Sequence, residues 1–216
     1  MITSQLLQNK LYSKKHKHAV RDVLISTDID EILAGLIGPF LVWHKEHYNT
    51  TYERKDVYNY DLEHLINCDR EELQRRLRQF YESAHFHTIQ PIDGSKEGIQ
   101  ELYQLSKIIA ITARPEDIKH KTSTFIDDHY QGHISKVKFT GEFPQHNGMK
   151  GKICKELGIK VHIEDNLKFA YDCAQHGINV ILLDCPWNQG ETPKGTIRVY
   201  SWKDIPPIVE KLLRYA

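Results

Sequence analysis

The sequence predicts an α/β protein whose parallel sheet carries helices on both faces. Three observations predict this class: short apolar runs rich in β-branched residues recur, helical patterns lie between them, and the connections are short. Strands that alternate with helices in this way pair in parallel, and the crossing helices cover both faces of the sheet. The 216 residues are enough for one large domain, or for one core with a small insert.

Composition and charge exclude several classes of partner. The 29 basic and 29 acidic residues cancel, so no basic field favours a nucleic acid polymer or an anionic membrane. No apolar run reaches the length of a membrane span, and residues 1–18 lack the apolar centre and cleavage site of a secretory signal. The 4 cysteines form no CxxC pair, which is typical of reduced thiols. We therefore expect a cytoplasmic protein.

Two features precede the first strand. Apolar residues between Ile2 and Leu11 predict a short amphipathic helix that lies on the body of the protein. The basic run from Lys14 to His18 predicts a solvated linker, with a role in steering phosphate as the alternative.

The first strand is an apolar run that begins at Val23 and ends abruptly in polar residues, with Asp28 and Asp30 at its carboxyl end. In an open parallel sheet, ligands bind at that edge. Two carboxylates so close together repel each other unless something neutralises them, and a divalent cation is the usual solution. The structural alternative is that Asp30 caps the next helix and Asp28 is a turn residue.

The region from about residue 33 to residue 90 shows helical patterns and no strand alternation. One helix is predicted from Ile37 to Tyr48 and another from Glu71 to Tyr81, with a loop over residues 52–61 between them. Asn67 and Asp69 are potential caps of the second helix. We expect an all-helical insert whose aromatic residues are mostly core.

From Pro91 onward, strand and helix patterns alternate. Predicted strands cover residues 107–112, 137–140, 161–163, 179–184 and 196–200. Predicted helices cover residues 96–105, 150–157, 167–176 and 204–214, and a further helix opens at residue 115. The proline and acids at its start, and glycines 158 and 177 after two other helices, are typical of helix boundaries.

Polar groups stand at the ends of several predicted strands. Thr112 ends the second, and Glu164 and Asp165 follow the fourth, so acids on two strands can share one hard cation at the same sheet edge. Lys150 begins the helix before the fourth strand and can reach that edge, although Lys152 competes for the role. Each group has a structural alternative as a helix cap or a solvated lysine. Those alternatives do not explain the order of the groups on successive units.

A hydroxyl, an ammonium and a cation site together are typical of phosphoryl transfer. In such chemistry Asp28 would be the nucleophile and form an aspartyl-phosphate. Asp30 would protonate the leaving alkoxide and later activate water.

These ordered groups resemble the four motifs of the haloacid dehalogenase (HAD) superfamily, whose phosphatases use an aspartate nucleophile. Further stretches resemble its 5′(3′)-deoxyribonucleotidase-like branch: Phe80–Ser83, Ile111–Pro115, Phe139–Gly141, Ile153–Gly158 and Asp184–Asn188. The resemblance covers roughly residues 22–190. It implies a Rossmann-like core with strand order 3-2-1-4-5 and a small helical cap after the first strand. We therefore expect a core of residues 1–32 and 91–216 and a cap of residues 33–90.

The resemblance also implies Mg²⁺ and a set of ligands for it. The metal would be held by the carboxylate of Asp28, the backbone carbonyl of Asp30 and the side chain of Asp165, with Glu164 behind these ligands. The predicted phosphate-binding residues are Thr112, Ala113 and Lys150.

Two residues depart from the pattern of this branch. Glu31 stands where a glycine is usual and adds a third acid near the phosphate, and Glu164 replaces an aspartate, which lengthens that arm. The sequence thus predicts a Mg²⁺-dependent phosphomonoesterase that acts on a small molecule, with a nucleotide as the expected substrate. One alternative is a catalytically weak or retired phosphate-binding protein with the same fold. Another is a receiver-like signalling domain, although its phosphoacceptor would belong on the third strand.

Overall fold

A computed structural model describes residues 23–58, 62–140 and 148–214, and six parallel strands form one sheet in them. The strand order is β3-β2-β1-β4-β5-β6, and every neighbouring pair is parallel. The strands are β1 (Leu24–Thr27), β2 (Lys107–Thr112), β3 (Ile134–Phe139), β4 (Val161–Glu164), β5 (Asn179–Leu183) and β6 (Thr196–Val199). The predicted fold class and the order 3-2-1-4-5 are confirmed, and β6 extends the sheet beyond β5.

The strand bounds differ from the predicted ones mainly at the edge of the sheet. β2 has its predicted bounds, whereas β3 begins at Ile134, three residues before the predicted start at Val137. β3 pairs only with β2, and Ser135 and Lys136 are exposed on it. An edge strand tolerates polar residues, so its apolar run is shorter than the strand itself.

The helices follow the predicted pattern closely. They are α1 (Ile37–Tyr48), α2 (Leu62–Leu65), α3 (Arg70–Glu82), α4 (Ser95–Leu105), α5 (Lys119–Tyr130), α6 (Met149–Glu156), α7 (Leu167–Gln175) and α8 (Ile205–Arg214). Short 3₁₀ helices cover Arg54–Asp56, Ala84–Thr88, Glu116–Ile118, Pro186–Asn188 and Trp202–Asp204.

The start of α3 shows which of the two predicted caps is used. The Asp69 side chain accepts a hydrogen bond from the backbone N–H of Glu72 at 2.8 Å, as a helix cap does. Asn67 is not a cap, because it adopts a left-handed conformation with φ of 47° just after α2. The one-turn helix α2 and the 3₁₀ turn within the predicted loop were not predicted, since one turn has no periodicity to detect.

The core lies on both faces of the sheet. Ile108 and Ala110 of β2 belong to one buried cluster, whereas Ile109 and Ile111 belong to a second cluster on the opposite face. Buried aromatic residues of the predicted insert join the first cluster: Phe40, Trp43, Phe80 and Phe86. The prediction that the aromatic residues of the insert are mostly core is confirmed, while the division into a core and a cap stays a prediction.

The predicted amphipathic helix and the basic linker of the first 18 residues lie outside the described residues. Within the part of the chain that is described, no helix is long and apolar enough to cross a membrane.

Candidate active site

The carboxyl ends of β1 and β4 bring three acids together. These strands pair Ser26 with His162 and Thr27 with Ile163, and the backbone N–H of Asp28 donates to the carbonyl of Ile163 at 2.8 Å. One carboxylate oxygen each from Asp28, Glu164 and Asp165 lies within 4.8 Å of the others, and all three residues are buried. Their positions follow directly from the register of two neighbouring parallel strands.

Lys150 enters this cluster from the start of α6. Its Nζ lies 2.8 Å from Oε2 of Glu164 and 3.1 Å from Oδ1 of Asp28, and it sits 4.0 Å from the ring centre of Phe169. The adjacent Gly151 permits this approach, because a Cβ there would meet the backbone oxygen of Asp172 on α7 at 2.5 Å. Burial alone would lower the pKa of the Lys150 ammonium, but the two acids raise it above its usual value, so the ammonium stays charged.

The competing lysine lies elsewhere. Lys152 is 67% exposed at its side chain and approaches only Glu156, at 3.9 Å. Of the two lysines, the structure brings Lys150 to the acids and leaves Lys152 on the exposed face of α6.

Glu164 is held by four donors. Its Oε1 accepts from the backbone N–H groups of Asp165 and Asn166, and its Oε2 accepts from Lys150 and from Nε2 of His162. Burial would raise the pKa of this carboxyl, but Lys150 and His162 lower it well below its usual value. A carboxylate engaged at both oxygens positions its neighbours and has little remaining capacity for a metal ion.

Asp165 is oriented by the loop after β5. Nε1 of Trp187 donates to its Oδ2 at 2.7 Å, and Nδ2 of Asn188 donates to its backbone oxygen at 2.6 Å. Burial and the charges of Glu164 and Asp28 raise the pKa of this carboxyl well above its usual value.

One carboxylate oxygen of Asp28 is buried and accepts no hydrogen bond. Its Oδ1 forms an ion pair with Lys150, but the pair lacks hydrogen-bond geometry. Burial, opposed by Lys150 and aided by Glu164 and Asp30, raises the pKa of Asp28 to about 7. An orphaned carboxylate oxygen beside other buried acids fits a divalent cation with oxygen ligands. The donor set present here is therefore suited to Mg²⁺.

Asp30 is bound by an arginine that the sequence analysis did not assign. Nε and Nη2 of Arg114 donate to the Asp30 carboxylate. The hydroxyl of Thr112 accepts from the backbone N–H of Arg114 at 3.2 Å and thus serves the turn after β2. A cation two residues beyond a strand that ends near two acids was the available signal.

A polar stripe below the acids was also missed. Oγ of Ser26 lies 2.8 Å from Nδ1 of His162, whose other ring nitrogen faces Glu164. Polar residues two positions apart in otherwise apolar strands were the signal, since such residues share one face.

Glu31 is buried and is bound near the start of α1. It adopts a left-handed conformation with φ of 59°, which explains why glycine suits this position. Its Oε1 accepts from the backbone N–H of Ile37 at 2.7 Å, and its Oε2 pairs with Arg54. Its charge is thus compensated by Arg54 and by the backbone at the start of α1, and the expectation of a third acid near the phosphate stays a prediction.

A cleft opens above Asp28, Asp30 and Asp165. Its floor is polar, and its opposite wall carries apolar side chains of the insert. The lining residues are Asp28, Asp30, Ala113, Arg114, Asp165, Asn166 and Phe169 on the sheet side, and Leu36, Leu62, Leu77 and Tyr81 on the insert side. Such a cleft suits a charged group on the floor and an organic group against the insert.

The chain is similar to known nucleotidases in sequence. The model of a family described as 5′ nucleotidase, deoxy (pyrimidine), cytosolic type C protein matches residues 21–213. A nucleotidase of Clostridium acetobutylicum is 25% identical over 194 residues, which cover 87% of this chain and 94% of that protein.

Solved structures share the fold. A haloacid dehalogenase-like family hydrolase from Streptococcus pneumoniae superposes with a TM-score of 0.66 at 11% identity, over 87% of this chain and 98% of the other. A Bacillus subtilis protein, assigned to the HAD hydrolases and bound to magnesium, superposes with a TM-score of 0.62 at 14% identity, over 88% and 99% of the two chains.

Proposed function

The chain belongs to the 5′ nucleotidase family of deoxy (pyrimidine), cytosolic type C proteins, and on that premise we propose that it hydrolyses nucleoside monophosphates through an aspartyl-phosphate on Asp28. As a member of the HAD superfamily it is a phosphatase that acts on phosphomonoesters. We further propose that its substrate is a nucleotide, that it requires Mg²⁺, that the residues below have the roles given, and that it is cytoplasmic.

One observation carries the proposed mechanism: the ammonium of Lys150 is buried between Asp28 and Glu164, and Asp28 lines the floor of the cleft. With a phosphoryl group on that floor, Lys150 would neutralise its oxygens, and the Thr112 hydroxyl and the Ala113 backbone would bind them. The organic part of the substrate would then lie against Leu36 and the other apolar residues of the insert, which we assign as the cap.

The reaction has two halves. In the first, an oxygen of Asp28 forms a bond to phosphorus as the bond from phosphorus to the leaving oxygen breaks, and Asp30 gives its proton to that oxygen. In the second, a water oxygen bonds to phosphorus, the bond to Asp28 breaks, and Asp30 takes the water proton. The two halves in succession return Asp28 to its free carboxylate and Asp30 to its protonated form.

The metal would be held by the Asp28 carboxylate, the backbone carbonyl of Asp30 and Asp165. When bound, Mg²⁺ supplies positive charge for the phosphoryl oxygens. Glu164 would not bind the metal, because its oxygens already accept from Lys150, His162 and backbone amides.

The test is a substrate panel with a matched inactive protein. The purified chain is assayed with nucleoside 5′- and 3′-monophosphates, sugar phosphates and p-nitrophenyl phosphate, with Mg²⁺ and after chelation. We expect Mg²⁺-dependent release of phosphate with a nucleotide as the best substrate, and none from the Asp28→Asn variant. Binding of a phosphate compound without turnover would instead support a retired binding protein, and a sugar phosphate as best substrate would overturn the nucleotide assignment.

A further inference from the structure

Arg114 binds the acid–base group itself. Its Nε lies 3.1 Å from Oδ1 and 3.0 Å from Oδ2 of Asp30, and its Nη2 lies 2.5 Å from Oδ1. The Arg114 side chain is 2% exposed, and that of Asp30 is 19% exposed. We propose that Arg114 is the positioning residue that holds the Asp30 carboxyl in place for proton transfer, an inference that rests on the proposed function of Asp30.

Arg114 is well placed for this role because it is fixed from several sides. Its Nη1 donates to Oγ1 of Thr122 on α5 at 3.1 Å, its backbone N–H donates to Thr112, and its guanidinium lies 5.5 Å from the ring centre of Phe86. A planar guanidinium held in this way presents a rigid fork to a carboxylate. Asp30 is thereby limited to one orientation at the edge of the cleft.

The geometry also distinguishes the two oxygens of Asp30. Oδ1 accepts from both Nε and Nη2 of Arg114, whereas Oδ2 accepts only from Nε. Since each carboxylate oxygen offers about two lone-pair sites, Oδ2 keeps more capacity for another partner. We assign Oδ2 as the atom that gives a proton to the leaving oxygen and later takes one from water.

Two other roles for this ion pair are open to test. Arg114 also lines the cleft, so it could bind the phosphoryl group of the substrate directly. Alternatively, the pair could serve stability alone. The three roles differ in how the effect of a substitution depends on the leaving group, because a poor leaving group needs a proton and a good one does not.

The experiment compares an alkyl and an aryl substrate in the Arg114→Gln variant. The alkyl substrate is the nucleoside monophosphate that the wild type hydrolyses fastest, and the aryl substrate is p-nitrophenyl phosphate. Because kcat/KM reports steps up to the first irreversible one, it isolates the first half-reaction. We expect kcat/KM to fall about 100-fold for the alkyl substrate, the scale of acid–base catalysis, and less than ~10-fold for the aryl one. For the aryl substrate kcat should fall and a burst of p-nitrophenol should appear, since the second half-reaction still needs Asp30.

A matched control is available on α3. Arg75 binds both oxygens of Glu72 at 2.6 Å in an exposed pair. Neither residue lines the cleft. Arg75→Gln therefore removes an equivalent arginine–carboxylate contact and should leave both substrates unaffected.

The remaining outcomes contradict either the role of Arg114 or the proposed function. Equal losses of kcat/KM on both substrates in Arg114→Gln would overturn the inference and favour phosphate binding, and no loss on either would overturn it as well. A wild type that hydrolyses neither substrate would refute the proposed function instead. Should Arg114→Gln not fold, Thr122→Val serves as the second variant, because it removes only the hydroxyl that accepts from Nη1 of Arg114. Its losses of kcat/KM should be smaller but should show the same dependence on the leaving group. A Thr122→Val variant with equal effects on both substrates would overturn the inference.

Discussion

Nζ of Lys150 lies 2.8 Å from Oε2 of Glu164 and 3.1 Å from Oδ1 of Asp28, so one buried ammonium joins the ends of two neighbouring strands. This relationship links the proposed nucleophile to Glu164, to which we assign no direct part in the proposed chemistry. We therefore expect a substitution of Asp28 to affect mainly catalysis and a substitution of Glu164 to affect mainly stability.

Lys150→Ala should lower kcat/KM by about two to three orders of magnitude, because losing one contact to the phosphoryl oxygens costs ~2–4 kcal/mol in the transition state. Lys152→Ala, on the exposed face of the same helix, should change it little. Steady-state kinetics of both variants, at a temperature where each is folded, decide the matter. Equal losses would refute the assignment of Lys150.

Asp165→Asn should weaken Mg²⁺ binding by about tenfold or more, ~1.4 kcal/mol or more, because it removes a direct carboxylate ligand. Its amide oxygen can still accept from Trp187, so the fold should persist. Calorimetric titration with Mg²⁺ in the absence of substrate, and metal titration of activity, measure the effect.

Glu164→Gln should act on stability instead. An amide cannot satisfy Lys150, His162 and two backbone N–H groups at once, and breaking a buried ion pair costs about 3–5 kcal/mol. The expected result is a large loss in denaturant unfolding with a smaller loss of Mg²⁺ affinity than in Asp165→Asn. The reverse ranking of Mg²⁺ affinities would transfer the ligand role to Glu164.

Asp28→Asn should abolish turnover, because an amide cannot accept the phosphoryl group. Oδ1 of Asp28 accepts no hydrogen bond, and Lys150 keeps Glu164 as a partner, so the fold should tolerate the change. The midpoint of thermal unfolding should move by less than about 4 °C, the shift of roughly 1 kcal/mol in a chain of this size. Retention of more than trace activity by the purified variant would remove Asp28 from the nucleophile role.

The sequence was sufficient for those parts of the molecule that depend on topology alone. Central strands such as β2 are apolar between their end residues, and parallel strands must align their carboxyl ends, so the meeting of Asp28 with Glu164 and Asp165 could be predicted. For Arg114 the sequence indicates only a cation near the acids. Its contacts could not be predicted, because they depend on where α5 presents Thr122 and on the orientation of Asp30. Such contacts arise from tertiary packing, which no local pattern encodes.

A buried histidine within the insert predicts how stability depends on pH. His44 is fully buried, its Nδ1 lies 2.8 Å from Oγ1 of Thr50, and its Nε2 lies 2.9 Å from Nη1 of Arg76. Burial, and then the positive charge of Arg76 and the neighbouring His47, lower the pKa of His44 to about 4. The folded protein therefore holds this imidazole neutral where the unfolded chain protonates it.

Between about pH 6.5 and pH 4 the unfolded state binds the additional proton, so the free energy of unfolding should decrease as the pH falls through that window. The loss attributable to His44 is at most about 3.5 kcal/mol, because its pKa falls from 6.5 to about 4 and each tenfold change in proton affinity is worth ~1.4 kcal/mol. Denaturant unfolding at several pH values should show a steep slope in the wild type and a shallower one in His44→Asn. The exposed His120 supplies the matched control, and His120→Asn should keep the wild-type slope. Parallel curves for the wild type and His44→Asn would show that protonation of His44 does not drive the acid sensitivity of the fold.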